Sequence, residues 1–148
     1  MSPTTRVDPY TVGNFLVTIE GITASSFSEV SGLEAAIEVV DYRTGNLNQD
    51  SVQKLPGLSK YTNITLKRGL TRDLSLWNWI QNALTGSVQR ATVAITLLDQ
   101  ADNPQWTWTL KNAWPCKWAG PVLIAKSGEV AIETLEICHE GLESALPG

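Results

Sequence analysis

The sequence predicts a mostly β domain carrying a single helix, and three observations lead there. Several short segments alternate apolar and polar residues with a period of two, as strands with one face on a core do. One segment alone spaces its apolar residues at three and four. The chain has 148 residues, 43% of them hydrophobic and 18% charged, so one self-sufficient core spanning residues 1–148 is expected.

Taken in order, Phe15, Val17 and Ile19 share one face, opposed by Thr18 and Glu20. Leu33, Ala35, Ile37 and Val39 repeat the pattern against Glu34 and Glu38, which puts their apolar face on the core, and Ile64 and Leu66 repeat it against Thr65 and Lys67. From Asp73 to Leu84 the residues Leu74, Trp77, Ile80 and Leu84 make a helical stripe, widened by Leu76, Trp79 and Ala83. Thr71 or Asp73 is available to cap its start and Gly86 to end it. Ala91, Val93, Ile95 and Leu97 form the longest alternation. The turn residues Asp102-Asn103-Pro104 follow, and Trp106, Trp108 and Leu110 then line one face, which predicts a hairpin with its tryptophans on the core. The last segment, Val130 to His139, starts with Val130 and Ile132 on one face and continues with Leu135 and Ile137 on the other. A bulge near Thr134, or a strand covered on both faces, accounts for the switch.

The stretch Tyr42 to Pro56 stands apart. It is polar, with Gly45, Asn46, Asn48, Gln49, Asp50, Ser51 and Gln53, and structureless connections beyond about 12–15 residues are uncommon in compact domains. A loop of this kind is disordered or used for contact.

The usual chemistries find little footing. His139 is the single histidine, and its neighbour Cys138 points to the opposite face of a strand, so a nucleophile and base pair is not available there. Two cysteines and one histidine, with Cys116 far along the chain from the other two, offer no paired zinc spacing. Gly120 to Ser127 misses a phosphate-binding loop at Ala125, and a β pattern follows where a helix is needed. Glu129, Glu133, Glu136, Asp99 and Asp102 are read as solvated strand faces and turns. No catalytic residue, cofactor or metal is therefore expected. A net charge of −4, with no basic run longer than Lys67-Arg68, disfavours sequence-specific nucleic-acid binding. No segment approaches the roughly 20 apolar residues of a membrane anchor. Met1 to Tyr10 lacks the apolar run of a secretory signal, so synthesis in the cytoplasm with reduced cysteines is expected. Six tryptophans leave one competing class open, a carbohydrate-binding β-sandwich that stacks sugars on exposed rings.

A family resemblance runs through the chain. It is carried by Phe27-Ser28-Glu29-Val30-Ser31-Gly32-Leu33, Asp41-Tyr42-Arg43, Lys54-Leu55-Pro56-Gly57, Lys60-Tyr61 and Asn63-Ile64-Thr65-Leu66-Lys67-Arg68-Gly69. It continues through Leu76-Trp77-Asn78-Trp79, Ala113-Trp114-Pro115, Lys117-Trp118, the run from Glu129 to Glu136, and His139-Glu140-Gly141-Leu142. These pieces, in this order, resemble the tail-tube proteins of contractile phage tails and phage-tail-like injection systems, with a pattern closer to the injection-system tubes.

The resemblance implies a two-sheet β-sandwich or barrel-like subunit with one flanking α-helix. Six copies would close into a ring, and rings would stack into a hollow conduit for DNA or protein cargo inside a contractile sheath. Implied partners are further copies of the chain, the sheath protein, and baseplate, spike and tube-terminating proteins; a baseplate-proximal initiator ring is the variant within the family. The family's long connection reaches a neighbouring subunit and ring. Here that connection is 42–56, which makes Tyr42, Arg43, Asn46, Asn48, Asp50 and Lys54 the inter-subunit contact candidates. Gly45 and Gly57 are read as turn residues within or beside it.

Overall fold

The computed structural model describes residues 8–22, 27–43 and 52–147. Its elements in chain order are β1 (Asn14–Ile19), β2 (Phe27–Ser31), β3 (Ala35–Tyr42), β4 (Gln53–Tyr61), β5 (Ile64–Gly69), α1 (Ser75–Leu84), β6 (Ala91–Leu98), β7 (Pro104–Ala119), β8 (Ile132–Cys138) and β9 (Gly141–Ala145). One sheet runs β1-β6-β7-β8-β5-β2, with β9 added beside β7, and a separate two-stranded sheet joins β3 to β4. Every pairing is antiparallel.

Strand β7 gives the larger sheet its shape. Residues 104–113 pair with β6 and residues 107–111 with β9, whereas 114–119 pair with β8. Between these stretches Asn112 adopts φ 51°, a left-handed conformation that breaks the extended run. The strand thereby passes from one half of the sheet to the other, the corner device of orthogonal sandwiches. Val17, Ile19, Val93, Ile95 and Leu110 from one half meet Ile64, Leu66, Leu135 and Ile137 from the other, and Leu76, Trp79 and Ile80 of α1 join the same core. The end strands β1 and β2 do not pair with each other, so the fold is an open sandwich and the barrel variant does not form.

Much of the expected alternation is found. The β6–β7 hairpin has Leu97 opposite Trp106 and Ile95 opposite Trp108, with Asp99 accepting the amide protons of Ala101 and Asn103 in the turn. Three expectations need correction. First, the helix buries Leu76, Trp79 and Ile80, while Leu74 and Leu84 are 60% and 72% exposed. The apolar stripe is broader than one face, and the sheet takes the side that carries Trp79, whose indole N–H donates to the Gln89 carbonyl at 2.9 Å. Asp73 Oδ1 accepts the Ser75 amide at 2.9 Å at the start, and Gly86, at φ 94°, closes the end.

Second, Ile37 and Val39 are not on the core: every residue of β3 and β4 is exposed. Third, β8 carries no bulge at Thr134. Its register with β5 runs unbroken from Ile132 to Cys138's neighbour Ile137, and the core-facing residues are Glu133, Leu135 and Ile137. The sequence pattern switches faces because the first core position holds a glutamate, while Val130 lies before the strand and is exposed.

Glu133 is tolerable there because Arg68 sits directly opposite on β5; both are 2% exposed. The Arg68 Nε donates to Glu133 Oε1, its Nη1 to Asp73 Oδ2 at 2.9 Å and its Nη2 to the Asp73 carbonyl at 3.0 Å. Trp118 Nε1 donates to the second Glu133 oxygen at 3.2 Å, and the guanidinium lies 5.8 Å from the Phe27 ring centre. A buried charge without its partner costs several kcal/mol, so Glu133→Ala should destabilise the protein by about 3–5 kcal/mol in urea melts. Leu76→Ala should cost about 2–5 kcal/mol, whereas Leu84→Gln should change the same melts by no more than about 0.5 kcal/mol. Equal effects of the two leucine changes would contradict the helix orientation.

The Asp73 carboxyl is held below the usual carboxylate range chiefly by the hydrogen bond it accepts from the Ser75 backbone amide, and further by Arg68. A depressed folded-state value means that its stabilisation is present above the unfolded-state value and is lost as pH falls through the folded one. Stability should therefore drop between about pH 5 and pH 2, and Asp73→Asn should flatten part of that slope in acid unfolding curves.

Candidate assembly interface

Among the described residues, strands β3 and β4 form an arm that pairs with no third strand. Ala35 pairs with Tyr61, and the ladder continues to Tyr42 opposite Gln53, with a shift of register between Ile37 and Val39. The segment expected as a loop, 42–56, is thus partly ladder: Tyr42 ends β3, and Gln53 to Pro56 begin β4. Gly57 lies within β4, not in a turn. A Cβ there would stand 3.1 Å from both the Glu38 carbonyl oxygen and a Val40 methyl, so its role is close approach beside the register shift.

The contact candidates divide accordingly. Tyr42 and Arg43 are exposed at the far end of β3. Lys54 is already paired, its Nζ 2.6 Å from Asp41 Oδ1 across the ladder. Both partners are largely exposed, so the pair contributes little stability and mainly offsets apolar neighbours. Gly45, Asn46, Asn48 and Asp50 lie outside the described residues.

The residues that reading the sequence missed are apolar. Ile37, Val39, Val40, Leu55 and Leu58 are all exposed on the arm, Leu58 by 74%. The signal was the adjacent pair Val39-Val40, which puts branched side chains on both faces of one strand and suits a ribbon covered on both sides by something else. A two-stranded ribbon is marginal in water by itself, and this one presents an apolar surface that is left exposed among the described residues.

The base of the arm is fixed to the sandwich. The ring of His139 has Nδ1 3.1 Å from the Gly141 carbonyl oxygen and Nε2 3.1 Å from that of Thr62, and it packs on the Tyr61 ring at 5.5 Å. Thr62 donates to Glu34 at 3.0 Å and Asn63 to Glu136 at 2.9 Å. The lone histidine is therefore spent on anchoring the hinge between arm and body. A second kind of unsatisfied surface is the sheet border: among the described residues β1, β2 and β9 each pair on one side only, as does the 114–119 stretch of β7.

Other chemistry finds no constellation. Among the described residues no group of three or more His, Cys, Asp or Glu could hold a metal ion. Glu133, read from the sequence as a solvated acid, is buried against Arg68, and Asp99 is a turn cap held below the usual carboxylate range chiefly by the Asn103 amide. The 120–127 segment is an irregular connection leading to β8, with no helix to receive a phosphate. None of the six tryptophans is exposed: Trp79 is in the core, and Trp77 packs edge-on against Trp118 at 4.9 Å. That removes the stacking platform which motivated a carbohydrate-binding reading. Among the described residues no helix is long and apolar enough to cross a membrane.

Comparison with known proteins follows the same lines. No curated protein sequence matches the chain. It is similar to a chain of the anti-feeding prophage (AFP) baseplate, at 29% identity over 95% of this chain and 97% of that one, with a TM-score of 0.82. It is also similar to a chain of the sheath–tube complex of PVC, an extracellular contractile injection system, at 27% identity over 94% and 93% of the two chains, with a TM-score of 0.83. Hcp1 from Flavobacterium johnsoniae shares the fold at 13% identity over 90% and 95%, with a TM-score of 0.55. The model of the T4-like virus tail tube protein gp19 family matches residues 12–143. The chain belongs to that tail tube family.

Proposed function

We propose that the protein is the repeating subunit of the inner tube of a phage-tail-like contractile particle, closing into six-membered rings that stack inside a sheath. The observation that carries this reading is the β3–β4 arm, exposed on both faces and anchored at its root by His139. A neighbouring copy is the partner that could cover it reciprocally, because a head-to-tail contact repeated around a ring uses the same arm and the same receiving surface in every subunit. The one-sided strands at the sheet borders give each copy backbone donors and acceptors to offer its neighbours.

The mechanism is mechanical. The tube is a conduit and a ram driven by its sheath, and the subunit carries no catalytic role. Sheath, baseplate and terminating proteins are its partners in the particle, which fits the assemblies in which its structural relatives occur. The acidic balance of the chain, −4 overall, suits a lumen that does not retain nucleic acid.

Two experiments test the reading. Replacing Asn46 to Gln53 by a short Gly-Ser link should leave a folded monomer that no longer forms rings or tubes in negative-stain images, with the baseplate present where initiation needs it. A shortened protein that polymerised normally would refute the arm's role. Ile37→Glu and Leu58→Glu should each leave monomer stability within about 0.5 kcal/mol of the parent while abolishing assembly, because both side chains are mostly exposed among the described residues.

A further inference from the structure

The two cysteines, distant in sequence, share one seam. On β8 the residues Glu133, Leu135 and Ile137 face the core, so Glu136 and Cys138 face outward. Across the seam Trp114 pairs with Cys138, Pro115 with Ile137 and Lys117 with Glu136, which leaves Cys116 as the extra residue of a bulge. An unbroken antiparallel ladder would hold these two positions on a diagonal too long for a sulfur–sulfur bond. The bulge takes Cys116 out of that ladder geometry.

Each thiol leans over the opposite strand. Cys116 Sγ donates to the Glu136 carbonyl at 3.4 Å and accepts from Asn63 Nδ2 at 3.7 Å, while Cys138 Sγ donates to the Trp114 carbonyl at 3.7 Å. The two sulfurs thus lie over the same seam, Cys116 reaching across to β8 and Cys138 reaching across to β7, within electrostatic reach of one another. Cys116 is exposed and Cys138 partly so, and both are free.

We propose that Cys116 and Cys138 form a redox site that closes into an intramolecular disulfide across the β7–β8 seam, with low-molecular-weight disulfides as its oxidant class. This rests on the seam geometry and is independent of the tube reading. Cys116, the more exposed thiol, loses its proton to solvent and attacks one sulfur of oxidised glutathione. The reagent's sulfur–sulfur bond breaks, a mixed disulfide forms and one glutathione thiolate leaves. Cys138, deprotonated in turn, attacks the Cys116 sulfur and displaces the second glutathione. Two electrons pass from the protein thiols to the reagent, and the two protons end on the two glutathione thiols.

Burial pushes the Cys116 thiol up to about 11, with Cys138 and Glu136 adding to the effect, and burial raises Cys138 as well. Both thiols are therefore protonated near neutral pH. Closure is slow there and should speed up about tenfold per pH unit from pH 7 to pH 10, as the thiolate fraction grows. A reducing cytosol keeps the pair open, and an oxidising exterior favours the bond. The bond would enclose the connection from β7 to β8, including its exposed Val122 and Leu123.

The test treats the full chain with oxidised glutathione at mildly alkaline pH and follows it by intact-mass spectrometry and non-reducing electrophoresis. The expected product is a monomer lighter by two hydrogens, with no retained glutathione and no titratable thiol. Its melting temperature should rise by on the order of 5 °C and return to the starting value with reductant. Cys138→Ser should stop at a single glutathione adduct on Cys116, which separates failure of the second step from failure of the first. Overturning results are a wild-type protein that keeps the adduct, one that forms covalent dimers, or one that retains both thiols after Cys138→Ser has been modified. A Cys138→Ser protein that takes up no glutathione under the same conditions would equally sink the proposal.

Discussion

A guanidinium and a carboxylate meet at the centre of this molecule, and much of the architecture is arranged to satisfy them. Arg68 and Glu133 occupy facing positions on β5 and β8, both shut off from water. Each would be strongly unfavourable alone, so the elements around them supply the remaining partners: Asp73 before α1, Trp118 on β7 and the ring of Phe27 on β2. The net stability from such a pair is modest, because desolvation offsets most of the attraction. Its larger effect is on register. Sliding β8 by one residue against β5 would turn Glu133 to the surface and leave the buried Arg68 with the partly exposed Asp73 as its remaining counter-charge. The order β8-β5-β2 and the approach of the helix to the sandwich are thereby tied to one set of hydrogen bonds.

A body locked in this way can carry an appendage that is not itself a core structure. The β3–β4 arm adds exposed apolar surface and no buried residue. It gains its position from contacts at its root, where His139, Thr62 and Asn63 bridge the arm, the end of β8 and the turn into β9. The sandwich folds around its own core, and in the proposed assembly the arm would complete its burial against another copy. Sheet borders open on one side follow the same division between what the chain satisfies alone and what a neighbour supplies.

How much of this was legible in the sequence depends on whether a signal was local. Period-two alternation in 91–97 and 64–66 locates two core strands, and the Asp102-Asn103-Pro104 turn locates the hairpin partner of the first, because each signal lies within a few residues. Ile37 and Val39 carry the same alternation, which predicts a core face that the structure leaves exposed. Periodicity reports that a strand has an apolar face, not what covers it, so a strand left exposed on the monomer reads like a core strand. Glu133 shows the complementary failure. The partner that permits a buried acid is 65 residues away in Arg68, and nothing local distinguishes it from the solvated glutamates nearby. The seam between Cys116 and Cys138 was hidden for the same reason, since it depends on a bulge that only strand pairing reveals.

The arm's being a ribbon and not a flexible loop bears on how tightly copies can associate. Binding that orders a loop of this length would lose backbone freedom residue by residue, roughly 1–2 kcal/mol for each, whereas a ladder already formed from Ala35 to Tyr42 has lost most of that freedom on folding. Preorganisation therefore raises affinity without adding contacts. It also creates a hazard, because a preformed, apolar two-stranded edge invites pairing with the wrong chain. Charges interrupt that surface: Asp41 and Lys54 bridge across the ladder, and Glu38 and Lys60 stand among the apolar positions. Such residues weaken unspecific edge pairing while costing little in a contact whose partner presents matching groups. A subunit that must stay soluble until its neighbour is correctly rotated needs both properties, and the arm combines them in one pair of strands.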